Sequence, residues 1–183
     1  MKAKLLFTLT IILASFGAVQ AQSEQPATVV RSLFKLNFRT PGLEYERRIA
    51  ELTTVNINPK LNFGIRYHNE IGIRAFLFPS LEVQARKYYN LSKRQEQEKN
   101  TAYNSGNFIA LSTSGSTASI LKNDYSVNQA SFSVGPVWGM QRNYNNGFSL
   151  TLTLGAGYTK NYLGENRVTP LTGLNLGFLI GRR

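Results

Sequence analysis

The sequence contains no cysteine, one histidine and one aspartate, namely His68 and Asp124. Without a thiol, the chain forms no disulfide, offers no thiolate nucleophile and lacks the cysteine that lipoproteins acylate. A zinc site of the usual kind needs several histidine or cysteine ligands, and no acidic loop here resembles a calcium site. These absences predict a protein without a metal site and without a cofactor.

Candidates for catalysis are correspondingly few. His68 is predicted in a turn at residues 68–70 and Asp124 on a different connection, so a triad needs both, or a glutamate in place of Asp124, to meet at one rim. Glu44 and Glu46 share one face of a strand, as paired carboxylates do, but the arginines predicted near them favour a structural ion network. No glycine-rich loop precedes a helix to bind phosphate. We predict that the protein is not an enzyme and has no catalytic residue.

The N-terminus reads as an export signal. Lys2 and Lys4 precede an apolar run at residues 5–19, and Val19-Gln20-Ala21 puts small residues where a signal peptidase cleaves. The run is shorter than the roughly 20 residues of a membrane-spanning helix. We therefore predict a signal peptide at residues 1–21 and one domain at residues 22–183, which is 162 residues long (183 − 21).

The chain is strongly basic, with a net charge of +11 that falls to +9 when Lys2 and Lys4 are removed. A basic surface attracts acidic partners. For an exported chain, the expected acidic partner is the phosphate-bearing outer leaflet rather than nucleic acid. The alternative is that the charges keep loops soluble and fill a polar lumen.

Most of the remaining sequence alternates with a period of two residues, which is the pattern of β-strands. Long alternating segments cover residues 54–67, 72–88, 126–144, 148–158 and 174–180, and shorter ones cover 30–38, 43–49 and 107–113. Asn145-Asn146-Gly147 is typical of a tight hairpin turn. Residues 92–105 and 112–119 are polar and are predicted to be flexible connections, with a short helical turn as the alternative for the first. The pattern predicts an all-β chain of eight strands.

The two faces of these strands differ in chemistry. The apolar faces run for about five to seven positions, which approaches the roughly 25 Å apolar band of a membrane barrel. The other faces of the last strands carry Gly, Ser, Thr, Asn and Gln, which suit a crowded lumen. Aromatic residues near the strand ends are predicted to form interfacial girdles: Tyr67, Tyr88, Tyr89, Tyr144, Phe148, Tyr158 and Tyr162. We predict a closed antiparallel eight-stranded up-and-down transmembrane β-barrel.

With apolar faces toward lipid, the charges of the early strands point inward. Unpaired charges in a narrow lumen are costly, so we expect them to pair across strands. The predicted lumen ion network contains Glu44, Glu46, Arg48, Lys60, Arg66, Arg74, Glu82 and Arg86, with Lys35 and Arg39 on the same faces and Gln141 and Asn143 as further candidates. Side chains then plug the lumen, and no open diffusion pore is expected.

Several short motifs resemble the small, porin-like outer-membrane β-barrel families of unknown function found in bacteria of the Bacteroidetes type. They occur in order along the chain at residues 35–37, 42–47, 86–90, 105–108, 135–139 and 155–158. This resemblance implies an outer-membrane location and an eight-stranded barrel. It implies no established activity.

Three functions remain open at this stage. The first is a non-enzymatic integral barrel for envelope structure, surface interaction or adhesion. Its expected partners are outer-membrane lipids, including anionic lipopolysaccharide, and the barrel-assembly machinery, and it is expected to be monomeric. The second is an outer-membrane enzyme acting on lipid or peptide with His68 as base. The third is a soluble exported barrel that binds a small apolar ligand inside.

Overall fold

The computed structural model describes residues 27–69, 72–121 and 130–182, and of Arg66, His68, Arg74 and Arg182 the backbone alone. The predicted signal peptide lies outside these residues. Eight strands follow one another in chain order: β1 (Ser32–Asn37), β2 (Gly42–Ala50), β3 (Thr53–His68), β4 (Gly72–Tyr88), β5 (Asn107–Ser116), β6 (Ser131–Asn143), β7 (Phe148–Asn161) and β8 (Asn166–Arg182).

The hydrogen bonds of the eight strands run in a ring. Each strand pairs antiparallel with its sequence neighbours, and β1 closes the ring by pairing with β8, with Leu36 opposite Phe178. The predicted number and order of strands are confirmed. An even number of strands places the start of β1 and the end of β8 at the same end of the ring, which we call the near end. The far end carries the last residues of β3 and β5 and the first residues of β4 and β6.

The outer wall of the ring is apolar on every strand. Large apolar side chains, 36–75% exposed, occupy the outward positions because alternate residues of a strand point to opposite faces. Representatives of the eight strands in order are Phe34, Leu43, Ile57, Val83, Ile109, Phe132, Leu154 and Val168. These are the faces that the alternation predicts to be apolar.

The interior is polar, and its side chains are buried. Lys35, Glu44, Gln84 and Arg86 are among the largest fully buried side chains. Of the tyrosines assigned to the outer girdles, Tyr88 is an exception: it points inward and is fully buried. It shares the inward parity of Arg86, so the assignment of Tyr88 to the girdle was wrong.

Two predicted connections contain regular structure. Helix α1 (Leu91–Glu96) and a 3-10 turn (Ala102–Asn104) lie in the stretch predicted as a flexible loop. Leu91 is buried in the apolar cluster at the near end, which anchors the helix there. Strand β5 continues to Ser116 because it pairs with both β4 and β6 through the serine-rich segment. Among the described residues, no helix has the length and apolar character to cross a membrane.

The substitution Gly139→Ala tests the packing of the interior. Gly139 lies opposite Phe108, whose ring occupies the space that a Cβ at position 139 would need. We expect the variant to lower the free energy of unfolding by about 1–3 kcal/mol, because the buried ring has to move. Urea titration measures this value. Gly64→Ala is the matched control, since an added Cβ there meets nothing within 4 Å, and an equal loss in both variants would contradict the packing argument.

Candidate functional site

Among the described residues, the densest group of charged side chains lies inside the ring, close to the near end. The β1–β2 hairpin sets Lys35 directly opposite Glu44, and the pleat turns both side chains inward. Glu46 follows two residues later on the same face. Arg86 comes from β4, on the other side of β3, with Thr54 as its register partner. Three strands thus deliver two acids and two bases to one level of the interior.

These four residues, Lys35, Glu44, Glu46 and Arg86, form what we call the inner charge cluster. Lys35 Nζ lies 2.8 Å from Glu44 Oε1 and 3.8 Å from Glu46 Oε2. Arg86 Nη1 lies 3.2 Å from Glu44 Oε1 and 3.6 Å from Glu46 Oε2. All four side chains are at most 2% exposed. Two positive and two negative charges leave the cluster neutral, which is what burial in so narrow a space requires.

Neutral groups complete the hydrogen bonding of both carboxylates. Glu46 Oε1 accepts from the Tyr88 hydroxyl at 2.8 Å, from the Thr54 hydroxyl at 2.8 Å and from Asn104 Nδ2 at 3.1 Å. Asn56 Nδ2 donates to Glu44 Oε1 at 2.7 Å. Several hydrogen bonds to one ionised carboxylate hold it in a fixed position.

Gln141 on β6 connects the cluster across the interior. Its Oε1 accepts from Lys35 Nζ at 2.7 Å and from Arg86 Nη1 at 3.1 Å, while its Nε2 donates to Glu46 Oε2 at 3.1 Å. One amide therefore serves both bases and one acid. The hydrogen-bond network spans strands on opposite sides of the ring.

An apolar layer closes the near end below the cluster. Tyr88 and Phe108 pack with ring centroids 5.4 Å apart, and Leu91 of α1 and Val29 belong to the same buried group. The Arg86 guanidinium stacks over the Phe108 ring at 4.7 Å from its centroid. Such a cation–π contact stabilises a desolvated arginine. The near end is thus sealed by packed side chains.

A second ion pair lies farther from the near end. Lys60 Nζ and Glu82 Oε2 are 2.7 Å apart, with side chains 17% and 16% exposed. Gln84 Nε2 and the Ser112 hydroxyl both donate to Glu82 Oε1. We call Lys60 and Glu82 the far-end ion pair. Above it, the interior opens into a cavity of about 250 Å³.

The structure places five of the eight predicted network residues in two groups. Glu44, Glu46 and Arg86 lie in the inner charge cluster together with Lys35, and Lys60 and Glu82 form the far-end ion pair. For Arg66 and Arg74 only the backbone is described, and it pairs the two residues across the β3–β4 hairpin.

Arg48 and Arg39 lie apart from both groups. Arg48 is exposed and donates to the backbone oxygen of Val29 at 3.1 Å, because it stands beyond the start of β1. Arg39 sits in the β1–β2 turn and donates to the backbone oxygen of Leu174. Asn143, the other candidate, donates its side-chain amide to the backbone oxygen of Tyr103, and its backbone oxygen accepts from the Ser105 hydroxyl, so it bonds to the 89–106 connection rather than to a charge.

Sequence reasoning missed several partners of the two carboxylates, among them Thr54, Asn56, Tyr88 and Asn104. The inward parity of Thr54 and Tyr88 on their strands was available as a signal. Asn104 reaches Glu46 from a connection rather than a strand, and no periodic pattern indicates it. Among the described residues, no group of three or more acidic or histidine side chains is placed to hold a metal ion. The side chain of His68 and all of Asp124 lie outside the described part.

Comparison with protein-family models, with curated protein sequences and with solved structures finds no match for this chain.

Proposed function

We propose that this chain is an exported, integral outer-membrane β-barrel with a non-enzymatic role in envelope structure, surface interaction or adhesion. The observation that carries the proposal is the inverted distribution of side chains. Apolar residues cover the outside of all eight strands, while the inner charge cluster and its amide partners are buried inside. A barrel in water has the opposite arrangement, with charges outside and apolar residues within.

Lipid is the solvent that such an outer wall favours. In water, a wall of exposed Phe, Leu, Ile and Val would leave a large apolar area hydrated, at a cost of about 25 cal/mol per Å². In a bilayer, the same wall costs little, and a closed ring satisfies the backbone hydrogen bonds that lipid cannot. The fold and the wall therefore support the same location.

Exposed tyrosines at both ends of the ring are consistent with two membrane interfaces. Tyr89 and Tyr144 lie near the near end, and Tyr67, Tyr158 and Tyr162 lie toward the far end. Tyrosine rings favour the boundary between hydrocarbon and water. With the basic net charge, this arrangement supports contact with outer-membrane lipids, including anionic lipopolysaccharide. Export by the predicted signal peptide, insertion by the barrel-assembly machinery and a monomeric state belong to the same proposal.

The interior supports a plugged rather than a conducting barrel. The inner charge cluster and the apolar layer at Tyr88 and Phe108 fill the near end with fully buried side chains. Eight-stranded barrels are narrow enough to be filled by their own side chains. A soluble barrel for an apolar ligand needs an apolar interior, and the charged interior of the described strands argues against that alternative.

Cell fractionation and gel mobility test the membrane proposal. We expect the full chain to be recovered with the outer membrane, and the unheated folded form to migrate differently from the boiled form on a denaturing gel, because closed barrels resist unfolding by detergent. A chain that begins at Gln22 is the control, and it is expected to stay in the cytoplasm because it lacks the export signal. Recovery of the full chain in the soluble periplasmic fraction, or identical migration of both samples, would contradict the proposal.

A further inference from the structure

The cavity above the far-end ion pair has the chemistry of a binding site. It measures about 250 Å³. Its lining is rich in hydroxyl groups, which come from Ser80, Ser112, Ser114, Ser116, Ser131 and Thr153. Phe78, Val137 and Leu171 supply apolar surface between them. Ligand sites typically combine such apolar walls with a few placed polar groups.

In this cavity, the Lys60 ammonium has N–H donors that no described residue accepts. The Lys60 ammonium has three N–H groups and makes one hydrogen bond among the described residues, to Glu82. Both oxygens of Glu82 already accept, from Lys60 on one side and from Gln84 and Ser112 on the other. A ligand that offers an acceptor oxygen to Lys60 therefore adds a charge-assisted hydrogen bond without displacing one.

A buried amide nearby also lacks partners within the protein. Asn58 lies on the same face of β3 as Lys60, directly opposite Glu82, and is 1% exposed. Neither Nδ2 nor Oδ1 of Asn58 has a hydrogen-bond partner among the described residues. Buried amides are almost always hydrogen-bonded to protein or to an enclosed polar molecule. The protein thus leaves polar groups unsatisfied at the level of the far-end ion pair.

Toward the near end, the cavity is bounded by buried side chains. The inner charge cluster beneath it is at most 2% exposed, whereas Lys60 and Glu82 are 17% and 16% exposed. This difference in side-chain exposure indicates a pocket whose floor is closed. A molecule that enters this pocket stays on one side of the ring.

We propose that this cavity binds a small hydroxylated molecule of monosaccharide size, with one of its acceptor oxygens held by the Lys60 ammonium. Hydroxyl groups of the ligand would pair with the Ser114 and Thr153 hydroxyls, which make no hydrogen bond among the described residues. Phe78 and Leu171 would contact its carbon skeleton. The inference rests on the interior alone, so it does not depend on the proposed membrane location.

Titration calorimetry of the purified full chain in detergent micelles tests this proposal with three probes: glucuronate, glucose and cyclohexanecarboxylate. We expect saturable millimolar binding of glucuronate or glucose, and at least about tenfold weaker binding of cyclohexanecarboxylate, which keeps the ring and the carboxylate but lacks hydroxyls. Stronger binding of glucuronate than of glucose would identify the acceptor at Lys60 as a carboxylate, and similar binding would identify it as a hydroxyl. Absence of saturable binding for both sugars, or equal binding of cyclohexanecarboxylate, would overturn the proposal.

Variants locate the binding in the cavity. Lys60→Met is expected to weaken sugar binding at least about tenfold, whereas Lys160→Met, at an exposed position outside the cavity on β7, leaves it unchanged. Thr153→Val removes one lining hydroxyl without changing charge, and it is expected to weaken binding about threefold even if Lys60→Met fails to fold. Wild-type affinity in Thr153→Val together with wild-type affinity or misfolding in Lys60→Met would overturn the assignment.

Discussion

Replacing Glu44 by Gln lowers the free energy of unfolding by about 3–5 kcal/mol, the cost of breaking a buried ion pair from one side. Glutamine keeps the shape of the side chain and removes its charge. Lys35 and Arg86, which now face Glu44 Oε1 at 2.8 and 3.2 Å, are left with Glu46 as their only carboxylate in the inner charge cluster. The cluster then buries one uncompensated positive charge. Urea titration of the folded protein in lipid vesicles measures the loss.

Glu82→Gln is the matched control for this result. The far-end ion pair is partly exposed, so water compensates for the lost charge and the expected cost is about 1 kcal/mol or less. A second check is the double variant Lys35→Met with Glu44→Gln, which removes one charge of each sign and is expected to regain part of the loss. If Glu44→Gln lowers the free energy of unfolding no more than Glu82→Gln does, burial of the inner charge cluster does not determine the cost of removing one of its charges.

Replacing Leu154 by Lys separates a lipid-facing wall from a water-facing one. Leu154 lies outward near the middle of β7, at 46% exposure. At the midplane of a bilayer, a lysine on a barrel surface costs about 2–4 kcal/mol, whereas on a surface in water most substitutions stay within about 0.5 kcal/mol. We expect the larger value, measured as the free energy of unfolding in lipid vesicles.

Leu163→Lys provides the comparison, because Leu163 is also an exposed leucine but lies in the turn between β7 and β8. There the lysine reaches the interface or water, and the expected cost is about 0–1 kcal/mol. Equal, small effects of both substitutions would place the outer wall in water and remove the main support for the membrane proposal.

The alternation of residues predicts which face a side chain occupies but not its height along the ring. Lys35 and Arg48 both have inward parity, yet Lys35 is buried in the inner charge cluster and Arg48 is exposed at the rim. The difference arises from the register, since Arg48 lies past the first residue of β1. Register depends on contacts between strands that are distant in sequence, so a period-two pattern alone cannot supply it.

The alternation and the turn residues of the sequence predicted the positions of strands better than the structure of the connections. The bounds of β4 match the predicted segment at residues 72–88, and the Asn-Asn-Gly turn has the expected positive φ at Gly147. Helix α1 has no amphipathic repeat in its six residues, and its one buried residue is Leu91. A helix this short is stabilised by tertiary packing rather than by its own propensity. Its position therefore follows from the near-end apolar layer, which is known only once the ring is closed.

Closure of the ring by β1 and β8 has a consequence for how the chain reaches its final state. The hydrogen bond between Lys35 and Gln141 joins residues 106 positions apart, and the strand that seals β1 is the last of the eight. Until β8 docks, β1 and β7 each present an unpaired edge, and charges of the inner cluster remain hydrated. Assembly is therefore expected to be slow and to finish in one cooperative step. A polypeptide that stops before β8 would be an open sheet prone to pair with other chains, rather than a smaller version of the same molecule.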